Sequence, residues 1–155
     1  MIASLKGQFN DWKYGRGIVL KFLLELSDDD LDRKLPRKEL NTIRLQIEEL
    51  AQIQKCYVDA LTAKTMGFKI SPIEDKSKQS LVDIMAKLDG RLEKILETSD
   101  GSEEINWFGE LRNIHGHISA MIGHEQMHIG QIVAFCYTTG IHIPNAITEE
   151  MALDG

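Results

Sequence analysis

The stretch His117-Ile118-Ser119-Ala120-Met121-Ile122-Gly123-His124-Glu125-Gln126-Met127-His128-Ile129-Gly130-Gln131-Ile132-Val133-Ala134-Phe135 decides the fold. Its residues His117, Met121, His124, His128, Gln131 and Phe135 recur at steps of four and three. That is the spacing of one face of an α-helix, not the alternation of a strand. The pattern extends back to about Gly109 and stops before Gly140, with Pro144 just beyond. A helix of that span is about 45 Å long.

Three more helical patterns precede it. Leu5, Phe9, Trp12, Val19, Leu23 and Leu26 form one apolar stripe over residues 3–26, with Arg16 in its single polar slot. Ser27 and Asp30 suit the cap of a short turn before Pro36. A second long helix is predicted from near Asn41 to Met66, with Gly67 as its stop. A third follows Pro72 and Asp75, carrying Leu81, Ile84, Leu88, Leu92 and Ile95 on one face. No run alternates like a strand, so the expected fold is an all-α four-helix bundle formed by residues 1–155 as one domain.

The bulk properties narrow the partners. The net charge is -6 and no Lys/Arg-rich run occurs, so no nucleic acid and no anionic membrane surface is expected. No stretch approaches the roughly 20 apolar residues of a membrane span. Lys6, Asp11, Lys13 and Arg16 interrupt any leader-like apolar run, and Cys56 and Cys136 sit in helical apolar patterns as free thiols. A cytoplasmic location is the expectation.

His124 and His128, four apart, project side by side and can bring two ring nitrogens to one ion at about 2.0–2.1 Å. By themselves they are equally compatible with core or surface histidines. His117 lies a heptad earlier, about 10 Å along the axis, too far to share that ion. It is read as a pocket or core histidine, and His115 and His142 as structural. A third ligand is expected from the second long helix. Glu48 shares its face with Arg44, Gln52, Lys55 and Asp59, a solvated set; Glu49 shares its own with Leu45, Ile53, Cys56 and Ala60. A carboxylate in an apolar stripe needs a cation or a proton. Glu49 is therefore the predicted metal ligand, with a salt bridge to another helix, for instance to Arg16, as the competing reading.

His124-Glu125-Gln126-Met127-His128 also spells H-E-x-x-H, in which the glutamate would be a general base. The longer metzincin pattern needs a histidine where Ala134 stands. Glu125 then reads as a group supporting the ligands or bonding between helices, and Gln131, one turn past His128, as one that orients what the ion holds.

These residues carry a resemblance. Ile105-Asn106-Trp107-Phe108-Gly109, His124 through Ile132, and Gly140-Ile141-His142-Ile143-Pro144 resemble the fourth-helix region of the DinB/YfiT-like superfamily, and Thr42 through Ala51 its second-helix region. The resemblance implies up-down-down-up connectivity, frequent homodimers, and a metal held by one residue of the second helix and two of the fourth. Many members use three histidines; here the matching second-helix position is Glu49. Relatives include thiol-cofactor-dependent isomerases and transferases and metal-dependent hydrolases; the family name refers to damage-inducible expression, not to DNA binding.

The function expected is that of a metal-dependent hydrolase, or of a transferase using a low-molecular-weight thiol, acting on a small-molecule substrate. Two histidines and one carboxylate suit zinc, nickel, iron, manganese or cobalt alike. The alternative is a non-catalytic bundle in which a metal, or a hydrogen-bonded Glu/His cluster, fixes the helices. Finally, Gly109, Gly116, Gly123 and Gly130 recur every seven residues beside Ala120 and Ala134. Such a strip is expected to admit close helix packing, within one bundle or between two.

Overall fold

The computed structural model describes residues 1–154. The chain is mostly helical with one two-stranded sheet. Helix α1 (Ala3–Glu25) buries its predicted stripe, Arg16 included. The chain leaves it extended at Leu26, and Ser27 caps the short helix α2 (Asp28–Leu31), its Oγ accepting from the Asp30 amide at 3.1 Å. An irregular segment leads to α3 (Ile43–Ala63), whose cap is Thr42 rather than Asn41; the Thr42 hydroxyl accepts from the Leu45 amide.

Helix α3 stops at Lys64, short of the predicted Met66, with Lys64 in the left-handed region at φ 56°. Backbone pairing takes the chain off the helix there. Asn106 donates to the Lys64 carbonyl at 2.9 Å and Met66 donates to the Asn106 carbonyl at 2.8 Å. Helix α4 (Lys78–Thr98) follows, capped by Ser77.

The next segment departs from expectation. Instead of a helix from Gly109, strands β1 (Glu104–Trp107) and β2 (Glu110–Asn113) form an antiparallel hairpin, with Trp107 opposite Glu110. Its two-residue turn is Phe108-Gly109, both at positive φ, a turn that follows the twist of the strands. The hairpin was invisible as periodicity because only Ile105 points fully inward. Helix α5 (Ile114–Thr139) starts after it, with the Asn113 side chain accepting from the Gly116 amide at 2.8 Å. Gly140 ends it in the left-handed region, and a further short helix, α6 (Asn145–Met151), follows Pro144.

The long helices pack in a ring: α1 lies on α5 and α4, and α3 lies on α4 and α5. The buried apolar residues separate into two clusters. One includes Phe22, Leu23, Ile47, Met85 and Ile132; the other includes Phe9, Trp12, Val58, Leu92 and Met121. Each large side chain so buried contributes about 1.5–3 kcal/mol. Between them lies a polar layer with one member from each long helix: Arg16, Gln54, Asp89 and Glu125. The Arg16 guanidinium donates to Gln54 Oε1 at 2.9 Å and stands 3.4 Å from Glu125 and 3.6 Å from Asp89.

Close approach of α1 to α5 runs through Gly15, not through the seven-residue glycine strip. A Cβ on Gly15 would meet Gln126 Nε2 at 2.6 Å, whereas one on Gly123 or Gly130 would meet no atom within 4 Å. Packing within the chain is thus not what the strip provides: Gly109 belongs to the hairpin turn, and Gly116, Gly123 and Gly130 face outward. No helix among the described residues is long and apolar enough to cross a membrane.

Candidate metal centre

Helix α3 presents Glu49 toward α5, which presents His124 and His128 from successive turns. Their ligand atoms lie within 4.8 Å of one another, a group that could hold a metal ion. Glu49 Oε2 is 2.7 Å from His128 Nε2 and 3.8 Å from His124 Nε2. That oxygen is itself buried and has no aligned hydrogen bond. A tetrahedral ion with bonds of about 2.0–2.2 Å sets its donors roughly 3.3–3.6 Å apart. The observed separations bracket that spacing, so small side-chain rotations would seat an ion and satisfy the stranded oxygen. The three residues supply three donors, and a fourth position would be left for water or substrate.

Glu49 and the histidines act on one another's protonation. Partial burial works to raise the Glu49 pKa, but His128, His124 and Arg37 outweigh it and keep the carboxyl ionised below its usual range. Burial lowers the His124 pKa, opposed by Glu49 and assisted by His128, which favours the neutral imidazole. His128 is buried, and its Nδ1 lies 3.3 Å from Gln46 Oε1. An amide oxygen can only accept, so it calls for a proton on Nδ1, the tautomer in which Nε2 would ligate an ion lying between it and Glu49; with no ion there, the 2.7 Å separation from Glu49 Oε2 requires a proton shared between the two atoms. Gln46 was not anticipated. Its signal was legible: Ile43, Gln46, Leu50, Ile53 and Tyr57 step by three and four, which puts one amide inside an apolar stripe.

The remaining predicted residues fall elsewhere. Gln131 does not contact the triad through a hydrogen bond; its Oε1 accepts from Arg37 at 3.1 Å. Glu125 turns away into the polar layer beside Arg16, where burial raises its pKa to about 7 against the pull of that guanidinium. A glutamate sealed there is not placed to act as base on a ligand of the His124–His128 pair. His117 is buried with both ring nitrogens engaged: Trp107 Nε1 donates to Nδ1 at 3.0 Å, and Nε2 donates to the Tyr57 carbonyl at 2.9 Å. Burial keeps it neutral. His115 bonds Gln8, and His142 is exposed.

Two expectations need correction. Glu48 is not solvated: it is 7% exposed, because residues 68–76 fold over that face and Lys76 Nζ reaches Glu48 Oε2 at 2.8 Å. Arg16 is not the partner of Glu49 but of Glu125, Asp89 and Gln54. Helical phase had separated the two glutamates, but the covering of each face comes from distant chain. No protein-family model matches the chain, and no curated protein matches it.

Proposed function

We propose that this chain is a metal-dependent enzyme of the DinB/YfiT-like kind, an up-down-down-up four-helix bundle acting as a homodimer in the cytoplasm. Its reaction is hydrolysis of a small-molecule substrate or transfer of a low-molecular-weight thiol to an electrophile. The observation that carries this reading is the stranded Glu49 Oε2 set beside two imidazole nitrogens. When bound, a divalent ion supplies Lewis acidity that polarises an electrophile or acidifies a water or thiol. The protein's part is to hold Glu49 ionised, His124 neutral and His128 in one tautomer. A carboxylate among the ligands tempers that acidity relative to three neutral imidazoles.

A second reading has its own support. At 2.7 Å, a protonated His128 Nε2 pairs with Glu49 Oε2 with no ion between them. In that case the cluster ties α3 to α5 and the protein is not catalytic.

Elemental analysis of protein purified without chelator separates the two. About one metal ion per chain is expected, lost in H128A, weakened in E49A and unchanged in E48A. Equal metal content in all three variants removes the site. Turnover of thiol and electrophile mixtures or of hydrolysable esters by the loaded protein, absent in H128A, supports the enzyme; no difference from H128A supports the fixed cluster.

A further inference from the structure

A charge is left over at the edge of the candidate centre. Arg37 sits in the irregular segment between α2 and α3, which is closed on itself by the Leu35 amide donating to the Asn41 carbonyl at 2.9 Å and anchored by the buried Leu35 side chain. Its guanidinium is held against α5 at two points, Gln131 Oε1 at 3.1 Å and the Phe135 ring at 5.7 Å. Both lie on the turns that follow His128. Neither holder is an anion, and Arg37 makes no ion pair among the described residues.

Gln131 stands one turn past His128 on α5, so the exposed guanidinium it holds lies beside the candidate centre. With both histidines neutral as ligands, a divalent ion less the charge of Glu49 leaves one positive charge, and Arg37 makes two. The carboxylates that adjoin the ligands in sequence are already engaged, Glu48 by Lys76 and Glu125 by Arg16. A guanidinium also keeps several N–H donors in a planar fork when one is given to an amide oxygen, the geometry that carboxylates and phosphates accept.

We propose that Arg37 is the substrate-anchoring residue of this centre and that its substrate or thiol carries an oxyanion, a carboxylate or a phosphate, set apart from the reacting atom. The proposal rests on the metal reading above. On this reading Gln131 presents Arg37 to the substrate and does not touch the ion.

The test uses the full chain loaded with cobalt(II), whose visible absorption reports thiol ligation. Three thiols are titrated at constant ionic strength: 3-mercaptopropionate, 2-mercaptoethyl phosphate and neutral 2-mercaptoethanol. At least one anionic thiol should bind about tenfold more tightly than the neutral one, and R37A should abolish that advantage while leaving cobalt content and 2-mercaptoethanol affinity unchanged. R37K should keep part of it. Whichever anionic thiol gains more identifies carboxylate or phosphate as the oxyanion. Equal binding of the three thiols by the unsubstituted protein, an advantage that survives R37A, or loss of cobalt in R37A overturns the proposal while leaving the metal centre standing. Failure of the unsubstituted chain to take up cobalt overturns the metal reading itself, and this inference with it.

Discussion

Gln46 shows how one side chain can set the chemistry of another. Its amide oxygen favours a proton on His128 Nδ1, so Nε2, the nitrogen that faces Glu49, is the one left to ligate an ion. The other end of the same amide, Nε2, is buried without a partner. That combination makes a discriminating variant available. In Q46L the unsatisfied Gln46 amide disappears while the buried His128 Nδ1–H loses its acceptor, so the melting temperature of metal-free protein should change little. Metal affinity should nevertheless fall by about 10- to 100-fold, because the His128 ring is no longer held in its tautomer. Competition titration with a chromogenic chelator measures this; unchanged affinity would remove Gln46 from the centre. Glu49 teaches a complementary point: its helical neighbours place it on an apolar face, yet its side chain is 24% exposed, open enough for a ligand to approach.

At the scale of elements, the polar layer fixes how the long helices meet. Arg16, Gln54, Asp89 and Glu125 come one from each, and sliding α1 or α5 by a turn would part the buried Arg16–Glu125 pair, at a cost of about 3–5 kcal/mol. The layer also makes stability depend on pH. The Glu125 pKa in the fold is raised from 4.5 to about 7, so the folded chain holds that proton more tightly than the unfolded chain does. Its stabilising contribution is full below pH 4.5 and is lost as pH rises through about 7. Urea melts of metal-free protein at pH 4.5 and pH 8 should therefore differ less for E125Q than for the parent, by about 3 kcal/mol in order of magnitude. Identical pH dependence in the two proteins would mean that Arg16 keeps Glu125 ionised throughout. The hairpin belongs to this scale too. It caps the α3 end through Asn106 and delivers Trp107 to His117, which accounts for a buried histidine that takes no part in the triad.

At the scale of the whole molecule, the surface feature that matters is the outward strip of α5. Gly123 and Gly130 cost about 1 kcal/mol each in a helix relative to alanine, and inside the chain nothing needs their small size. Met127 on the same side is half exposed, and Ala134 is exposed. In a lone chain G130A should raise stability by about 1 kcal/mol, read from thermal melts at low concentration. A fall instead, together with a lower sedimentation coefficient, would assign the strip to contact between two copies.

Local sequence determined most of the extent of the long helices, their apolar stripes, the histidine pair and the placing of Glu48 and Glu49 on different faces, because helical phase depends only on spacing along one chain. Tertiary structure alone decided what each face meets: that Glu48 is roofed by residues 68–76, that Arg16 pairs with Glu125, that Gln131 takes Arg37, and that residues 104–113 become a hairpin. Those outcomes depend on contacts between segments far apart in the chain, whose approach no periodicity within a single segment encodes.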